Sequence, residues 1–214
     1  MANHKAITET CVIVSEGFYD TTFLQALAAA RNLPSFNYRH AGGITKIGTE
    51  LRGLSGATNF GIVEHVLIIA DCDDNAQANF AEVCNQIQLA NDNPPTYATP
   101  VGPLTRAGVK PTVNVALVPG AGMVGDLETM CLCVIAKNDA ATIQCVEDFA
   151  TCTGAANWPP SKRAKMKLEA YLAAHFSAQP QILLGYAWWD LAQGPMPLDD
   201  PDFDEIANIM ESYR

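Results

Sequence analysis

A chain of 214 residues is long enough to bury a full hydrophobic core, and its length favours one domain over two. Hydrophobic residues make up 49% of the chain, and 13 Lys and Arg against 23 Asp and Glu give a formal net charge of −10. This balance argues against a protein that coats duplex nucleic acid, because phosphate contacts require Lys and Arg. It leaves open a metal-dependent enzyme that acts on phosphates, since bound cations offset local negative charge.

The sequence contains no signal for membrane insertion or export. No stretch approaches the roughly 18 consecutive apolar residues that a membrane-spanning helix requires. Residues Met1 to Lys5 lead into a strand pattern without the apolar core of a signal peptide. We therefore expect a cytoplasmic protein with no membrane partner.

The first half of the chain alternates strand and helix patterns. The strands are short, apolar without alternation and rich in Val and Ile, which is typical of strands buried on both faces. Helical spacing of apolar residues follows each of them. The strands are predicted at Cys11–Ser15, Phe36–His40 and Val66–Ala70, and the helices at about 19–31, 44–54 and 76–87. Three such units in succession predict a parallel sheet with right-handed crossovers.

The second half begins with an interruption and then becomes helical. Five prolines between Asn91 and Pro111 predict a surface excursion or hairpin. A fourth strand is predicted at Val113–Val118, and helices at about 127–135, 140–152, beyond Pro160 and at the C-terminus. The predicted fold is a single α/β domain over residues 1–214, with a parallel four-stranded sheet flanked by helices. Its core spans about 8–136, and a helical C-terminal extension spans about 137–214.

Two acidic motifs follow strands of this predicted sheet. Glu16 and Asp20 belong to Glu-Gly-x-x-Asp after the first strand, and Asp71 and Asp73 to Asp-Cys-Asp after the third. Carboxylates crowded at one edge of a parallel sheet repel one another and indicate a bound cation. Their hard oxygen ligands favour Mg²⁺ or Mn²⁺.

These two motifs, in a small parallel α/β sheet, resemble the Toprim (topoisomerase and primase) domain. The resemblance is strongest to stand-alone bacterial Toprim proteins and to the Toprim half of overcoming-lysogenisation-defect nucleases. It covers about residues 11–167 and implies that divalent metals are held by acidic residues after the first and third strands and in a later x-x-Glu element. Residue by residue, the resemblance implies metal ligands at Glu16, Asp20, Asp71, Asp73 and Glu128.

The resemblance also implies a chemistry. Glu16 would bridge metals or act as general base, and two cations about 4 Å apart would assist an in-line displacement at phosphorus. A helical lysine would balance charge on the phosphate. Lys165 and Lys167 flank the apolar face of their helix, whereas Lys162 points away from it. Of the two flanking lysines, we choose Lys165. We therefore expect a magnesium-dependent nuclease or related phosphohydrolase that uses water as the nucleophile, with a nucleic acid or a small phosphoester as its substrate.

Two alternatives stay open at this point. The related nucleases are normally fused to an ATPase, and no Gly-x-x-x-x-Gly-Lys-Ser/Thr loop occurs here. The chain is therefore also interpreted as a non-catalytic metal- or partner-binding subunit, with an ATPase as one possible partner. A second alternative is nucleotide binding through Gly120, Gly122 and Gly125, which follow a strand with the spacing of a dinucleotide fingerprint.

Overall fold

The sheet has four parallel strands, as predicted. In a computed structural model that describes residues 6–92, 94–120, 123–182 and 184–214, the strands lie in the order β2-β1-β3-β4. Their bounds are Cys11–Ser15 (β1), Asn37–His40 (β2), His65–Asp71 (β3) and Thr112–Val118 (β4). Ser15 pairs with His40 on one side and with Ile69 on the other, so the carboxyl ends of three strands meet.

Helices cover both faces of the sheet. Their bounds are Phe18–Ala30 (α1), Ile47–Ser55 (α2), Ala76–Ala90 (α3), Leu127–Asn138 (α4), Ala140–Cys152 (α5), Pro160–His175 (α6), Leu184–Ala192 (α7) and Asp204–Glu211 (α8). The α2 helix begins three residues later than predicted, because Ile44–Lys46 form a 3₁₀ turn. The α7 helix was not predicted. The predicted α/β fold class is confirmed.

The strands do not alternate apolar and polar residues, because both of their faces are buried. Val12, Val14, Val66 and Ile68 point to one side, where they form a core with α2 and α3. Their neighbours along the chain, among them Ile13, point to the other side and pack against α1, α4 and α6 to α8. The C-terminal helices therefore share a core with β1 and α1.

The Pro-rich segment folds back along the outer edge of β4. The Leu104 N–H donates a hydrogen bond to Val115 O (2.8 Å), and Ala107 pairs with Val113 in an antiparallel bridge. These contacts satisfy backbone groups that an edge strand would otherwise leave unpaired. The prediction of an excursion or hairpin agrees with this arrangement.

The last third of the chain is anchored on α1. Trp188 of α7 is buried, and its indole Nε1 donates a hydrogen bond to Thr22 Oγ1 (2.8 Å). Arg31, just after α1, donates to the carbonyl oxygens of Leu198 and Asp200 and pairs with Asp204. Among the residues that the structure describes, none of the helices combines the length and apolar character needed to cross a membrane.

Candidate functional site

Glu16 and Asp71 meet at the carboxyl edge of the two central strands. The Glu16 N–H donates to Ile69 O (3.0 Å), which extends the β1–β3 ladder by one residue. The Glu16 side chain then turns toward the next strand, and its Oε2 accepts a long hydrogen bond from the Asp71 N–H (3.5 Å). On the other side, the N–H groups of Gly42 and Gly43 donate to Glu16 O. The position of Glu16 is thus fixed from both neighbouring strands.

Asp20 lies at the start of α1, one turn beyond Glu16. Its Oδ2 accepts a hydrogen bond from the N–H of Gly17, the N-cap residue (2.6 Å), so the carboxylate satisfies a backbone donor at the helix N-terminus. A Cβ atom at Gly17 would lie 3.0 Å from that oxygen. Asp20 therefore stabilises α1 and also lines the central cavity described below.

Asp71, the last residue of β3, is only 8% exposed and faces the N-terminus of α4. Its Oδ1 accepts a hydrogen bond from the Leu127 N–H (3.2 Å), the first N–H of that helix. Unpaired N–H groups and the helix dipole favour negative charge at such a position. The same helix turn carries Glu128, which is 9% exposed.

Asp73 lies at the margin of this group. It has a positive φ of 45°, and its carbonyl oxygen accepts a hydrogen bond from the Gly125 N–H (2.8 Å). Its carboxylate accepts one from Asn79 Nδ2 (3.1 Å), which also donates to Asp71 O. Unlike Glu16, Asp20, Asp71 and Glu128, Asp73 does not line the central cavity.

Asp126 is a sixth carboxyl group, which sequence reasoning did not include among the ligands. It is fully buried and caps α4, with Oδ1 accepting hydrogen bonds from the N–H and hydroxyl groups of Thr129 (2.9 and 2.7 Å). Its Oδ2 is buried without a hydrogen-bond partner. The signal in the sequence is the Asp-x-Glu spacing of Asp126 with Glu128, although an aspartate directly before a helix is also common as an N-cap.

Lys165, on α6, faces Asp126. Its Nζ lies 3.9 Å from Asp126 Oδ2, and its side chain lines the cavity while remaining 47% exposed. Lys167 instead pairs with Glu147 of α5, and Lys162 is exposed outside the cavity. Of the three lysines considered, Lys165 is the one beside the acidic residues.

Burial and mutual repulsion favour the protonated carboxyl groups. Desolvation, then the charges of neighbouring acids, raise the pKa of Asp71 well above 3.8 and that of Glu16 above 4.5. Desolvation followed by Asp126 raises the pKa of Glu128 to about 7. Burial would lower the pKa of Lys165, but the attraction of Glu128, Asp71 and other acids raises it overall. When ionised, the cluster therefore carries more negative charge than Lys165 can neutralise.

A cavity of about 670 Å³ opens above these carboxylates. One side is acidic, with Lys165 beside it, and the other is formed by α1, α6 and the segment before α7. The volume is within the range of small-molecule sites, roughly 300–1,000 Å³. The acidic residues that line it are Glu16, Asp20, Asp71, Glu128 and Glu169.

The donor set fits a hard divalent cation, although the side chains are not arranged as ready ligands. Within the described ranges, no three His, Cys, Asp or Glu side chains form a preassembled metal site. One oxygen of each of two acids is already engaged, because Asp20 Oδ2 and Asp71 Oδ1 accept backbone hydrogen bonds. The unpartnered Asp126 Oδ2, however, is a buried oxygen that lacks a donor, and carboxylate oxygens suit Mg²⁺ or Mn²⁺.

The glycine motif lies beside this site in a different role. Gly122 lies outside the described residues. Gly125 has φ +130° and gives its N–H to Asp73, so this group is already engaged. The helix that follows, α4, leads into α5, where a dinucleotide-binding unit would continue into a strand.

Comparison with known proteins gives one match. No curated protein and no solved structure matches the chain at a significant level. A family model described as "Protein of unknown function (DUF3226)" matches residues 10–192, which include β1 to β4 and every acidic residue of the site. The chain therefore belongs to the DUF3226 family.

Proposed function

We propose that this protein is a Toprim-like, divalent-metal-dependent phosphodiesterase, with a nucleic acid or a related phosphoester as substrate. The main support is the fully buried Asp126, whose unpartnered oxygen faces Lys165 at the strand ends where Glu16, Asp71 and Glu128 meet. Clusters of carboxyl groups with raised pKa values in a cleft are typical of functional sites. The parallel sheet and the placement of the acids after β1 and β3 agree with the Toprim resemblance.

In this proposal, Glu16, Asp20, Asp71 and Glu128 would hold Mg²⁺ or Mn²⁺, with Asp126 as a further oxygen donor beside them. Asp73 would join them only by giving up its hydrogen bond with Asn79. The bound cation would stabilise negative charge on the phosphate oxygens. Asp20 and Asp71 would have to exchange backbone hydrogen bonds for the metal, whereas Asp126 Oδ2 has no bond to lose.

The remaining roles belong to groups that already line the cavity. Glu16, whose pKa is raised by burial and by Asp20, would accept a proton from the attacking water. The ammonium group of Lys165 lies at the cavity, and its Nζ is 3.9 Å from Asp126 Oδ2, which is too far for a hydrogen bond. Lys165 would therefore donate to a non-bridging phosphate oxygen. Burial of Asp71 and Glu128 keeps water from screening these interactions.

The first test is calorimetric titration with MnCl₂ and MgCl₂. Wild type is compared with Asp71→Asn, which removes a charge and keeps an acceptor for the Leu127 N–H. Asp148→Asn, on the exposed surface of α5, is the matched control. We expect wild type and the control to bind metal and Asp71→Asn to lose binding. The same proteins are then assayed with single-stranded DNA and RNA, duplex DNA and bis(4-nitrophenyl) phosphate.

Metal-dependent cleavage that disappears in Asp71→Asn supports the proposal. Metal binding at this site without cleavage of any of these substrates would favour a non-catalytic, partner-binding role. Equal metal binding in wild type and Asp71→Asn would contradict a metal site at the strand ends.

A further inference from the structure

The central cavity has two chemically different sides. Away from the carboxylates at the strand ends, most of the lining is apolar and comes from α1, α6 and the segment before α7. A metal-dependent reaction at phosphorus needs only the acidic side. The apolar side must therefore be explained by what else the substrate carries. Its apolar residues are Phe18, Tyr19, Leu168, Leu172, Pro180 and Ile182.

Phe18 is the exposed aromatic residue on this side. It is 43% exposed, yet its ring contacts the rings of Tyr19 (centroids 6.0 Å apart) and His40 (5.8 Å). Gly185 of α7 packs directly against it, because a Cβ there would lie 2.8 Å from Phe18 Cε1. The ring is thus positioned before any ligand binds, and a preorganised aromatic face suits a planar group.

The charge of the cavity limits the number of phosphates it can accept. Lys165 is the single Lys or Arg among the described residues that line it. A duplex or a long polyanion is bound through several Lys and Arg contacts along its backbone. One lysine beside a metal site suits one reacting phosphate and at most one adjacent phosphate.

We infer that the substrate places one unpaired nucleotide in this cavity, with its phosphate at the acidic side and its base against Phe18 and the apolar residues of α6. This inference rests on the proposed function, because the acidic side would attract a phosphate only through a bound cation. Gln181 and Glu169 offer hydrogen-bonding groups on the side where the edge of the base would lie. Two kinds of molecule present such a nucleotide: a free nucleotide and the unpaired end of a nucleic-acid strand.

The test compares ligands with and without a base, in the presence of Mn²⁺. Affinities of AMP and ribose 5-phosphate are measured calorimetrically for wild type, Phe18→Ala and Phe149→Ala. Phe149 is 48% exposed on α5 and does not line the cavity, so it controls for loss of an exposed phenyl ring. We expect AMP to bind at least about 10-fold more tightly than ribose 5-phosphate, because a base stacked on an aromatic side chain adds this much affinity. Phe18→Ala should lose this preference, and Phe149→Ala should keep it.

The outcomes separate the two proposals. Equal affinities for AMP and ribose 5-phosphate, with Mn²⁺ bound, would overturn the nucleotide inference and leave the metal site intact. A protein that binds no Mn²⁺ would overturn both proposals, because the acidic side would then have no cation to attract a phosphate.

A second comparison uses a 5′-phosphorylated single-stranded oligonucleotide and the corresponding blunt duplex. Tighter binding of the single strand than of AMP identifies a strand end as the source of the nucleotide, and equal binding identifies a free nucleotide. A blunt duplex that binds as tightly as the single strand would overturn the inference.

Discussion

Lys165 Nζ lies 3.9 Å from Asp126 Oδ2, near enough for attraction but beyond hydrogen-bond distance. Asp126 is fully buried, whereas the Lys165 side chain is 47% exposed. The lysine therefore offsets part of the charge of the buried acid without being held by it. Its ammonium group keeps its donors for a ligand in the cavity.

Replacing Lys165 by Gln should lower the turnover of a phosphodiester substrate by about 10²–10³-fold, as for loss of one donor to a developing negative charge. Metal binding should persist, since the carboxylates remain. Lys167→Gln, which removes a lysine two residues away that pairs with Glu147, should leave turnover unchanged. Steady-state kinetics and calorimetry on both variants check this expectation. An equal loss of turnover in both variants would mean that the substitutions act by disturbing α6 and not by removing the charge at the cavity.

Asp71→Asn should stabilise the metal-free protein. Burial and the charges of Asp20 and Glu16 raise the pKa of Asp71, so its ionised form is unfavourable in the folded state. An amide removes the repulsion and still accepts from the Leu127 N–H. We expect Tm in EDTA at pH 7.5 to rise by about 2–4 °C, which corresponds to about 1 kcal/mol for a chain of this size. Saturating Mn²⁺ should raise the Tm of wild type and leave that of the variant unchanged. A lower Tm for Asp71→Asn than for wild type in EDTA would show that the Asp71 carboxylate stabilises the folded protein even without metal.

Glu128 should make the metal-free protein less stable as pH rises. Its pKa is about 7 in the folded protein against an ordinary value of 4.5, so the folded state holds a proton that the unfolded state loses. Stability therefore falls between about pH 4.5 and 7 and stays lower above that range. The rise in pKa corresponds to on the order of 3 kcal/mol.

Urea unfolding in EDTA at several pH values tests this for wild type and Glu128→Gln. The variant should be more stable than wild type at pH 8 and similar to it near pH 4.5. Parallel pH profiles for the two proteins would contradict the assignment to Glu128.

Gly125→Ala should destabilise the loop that carries Asp126. Gly125 has φ +130°, and a Cβ would lie 3.0 Å from Thr129, the residue that bonds to Asp126. Gly154 also has a positive φ, +79°, but its Cβ would meet nothing within 4 Å. Gly154→Ala should therefore cost about 1 kcal/mol, and Gly125→Ala should cost more, about 2–3 kcal/mol. Urea unfolding measures both, and equal losses would mean that the contact with Thr129 is unimportant.

The fold could be predicted well because its signals are local. Unalternating Val and Ile runs identified the buried strands, and apolar spacing with Pro160 identified α6. The acidic residues after β1 and β3 were brought to one edge by a rule of topology, since parallel neighbours end on the same side. The placement of Glu16 beside Asp71 follows from this rule.

What the sequence could not provide depends on contacts between distant segments. The α7 helix is short and is held by Trp188 on Thr22, across 166 residues of chain. The burial of the partnerless Asp126 oxygen, and its approach to Lys165 of α6, depend on packing between segments that are far apart in the chain. Asp73 stands outside the cavity because Asn79 holds its carboxylate, an interaction that spacing alone does not indicate.

Two of the acids in the site would be needed even by a protein with no activity. Asp126 caps α4 and Asp20 accepts a backbone hydrogen bond at the start of α1, so a relative that had lost catalysis would still gain stability by keeping them. Neither Glu16 nor Lys165 caps a helix, and Glu128 is unfavourable when ionised and buried. In a comparison of family members, we therefore expect the joint presence of Glu16, Glu128 and Lys165 to follow the proposed activity, whereas Asp20 and Asp126 would indicate only that two helices begin.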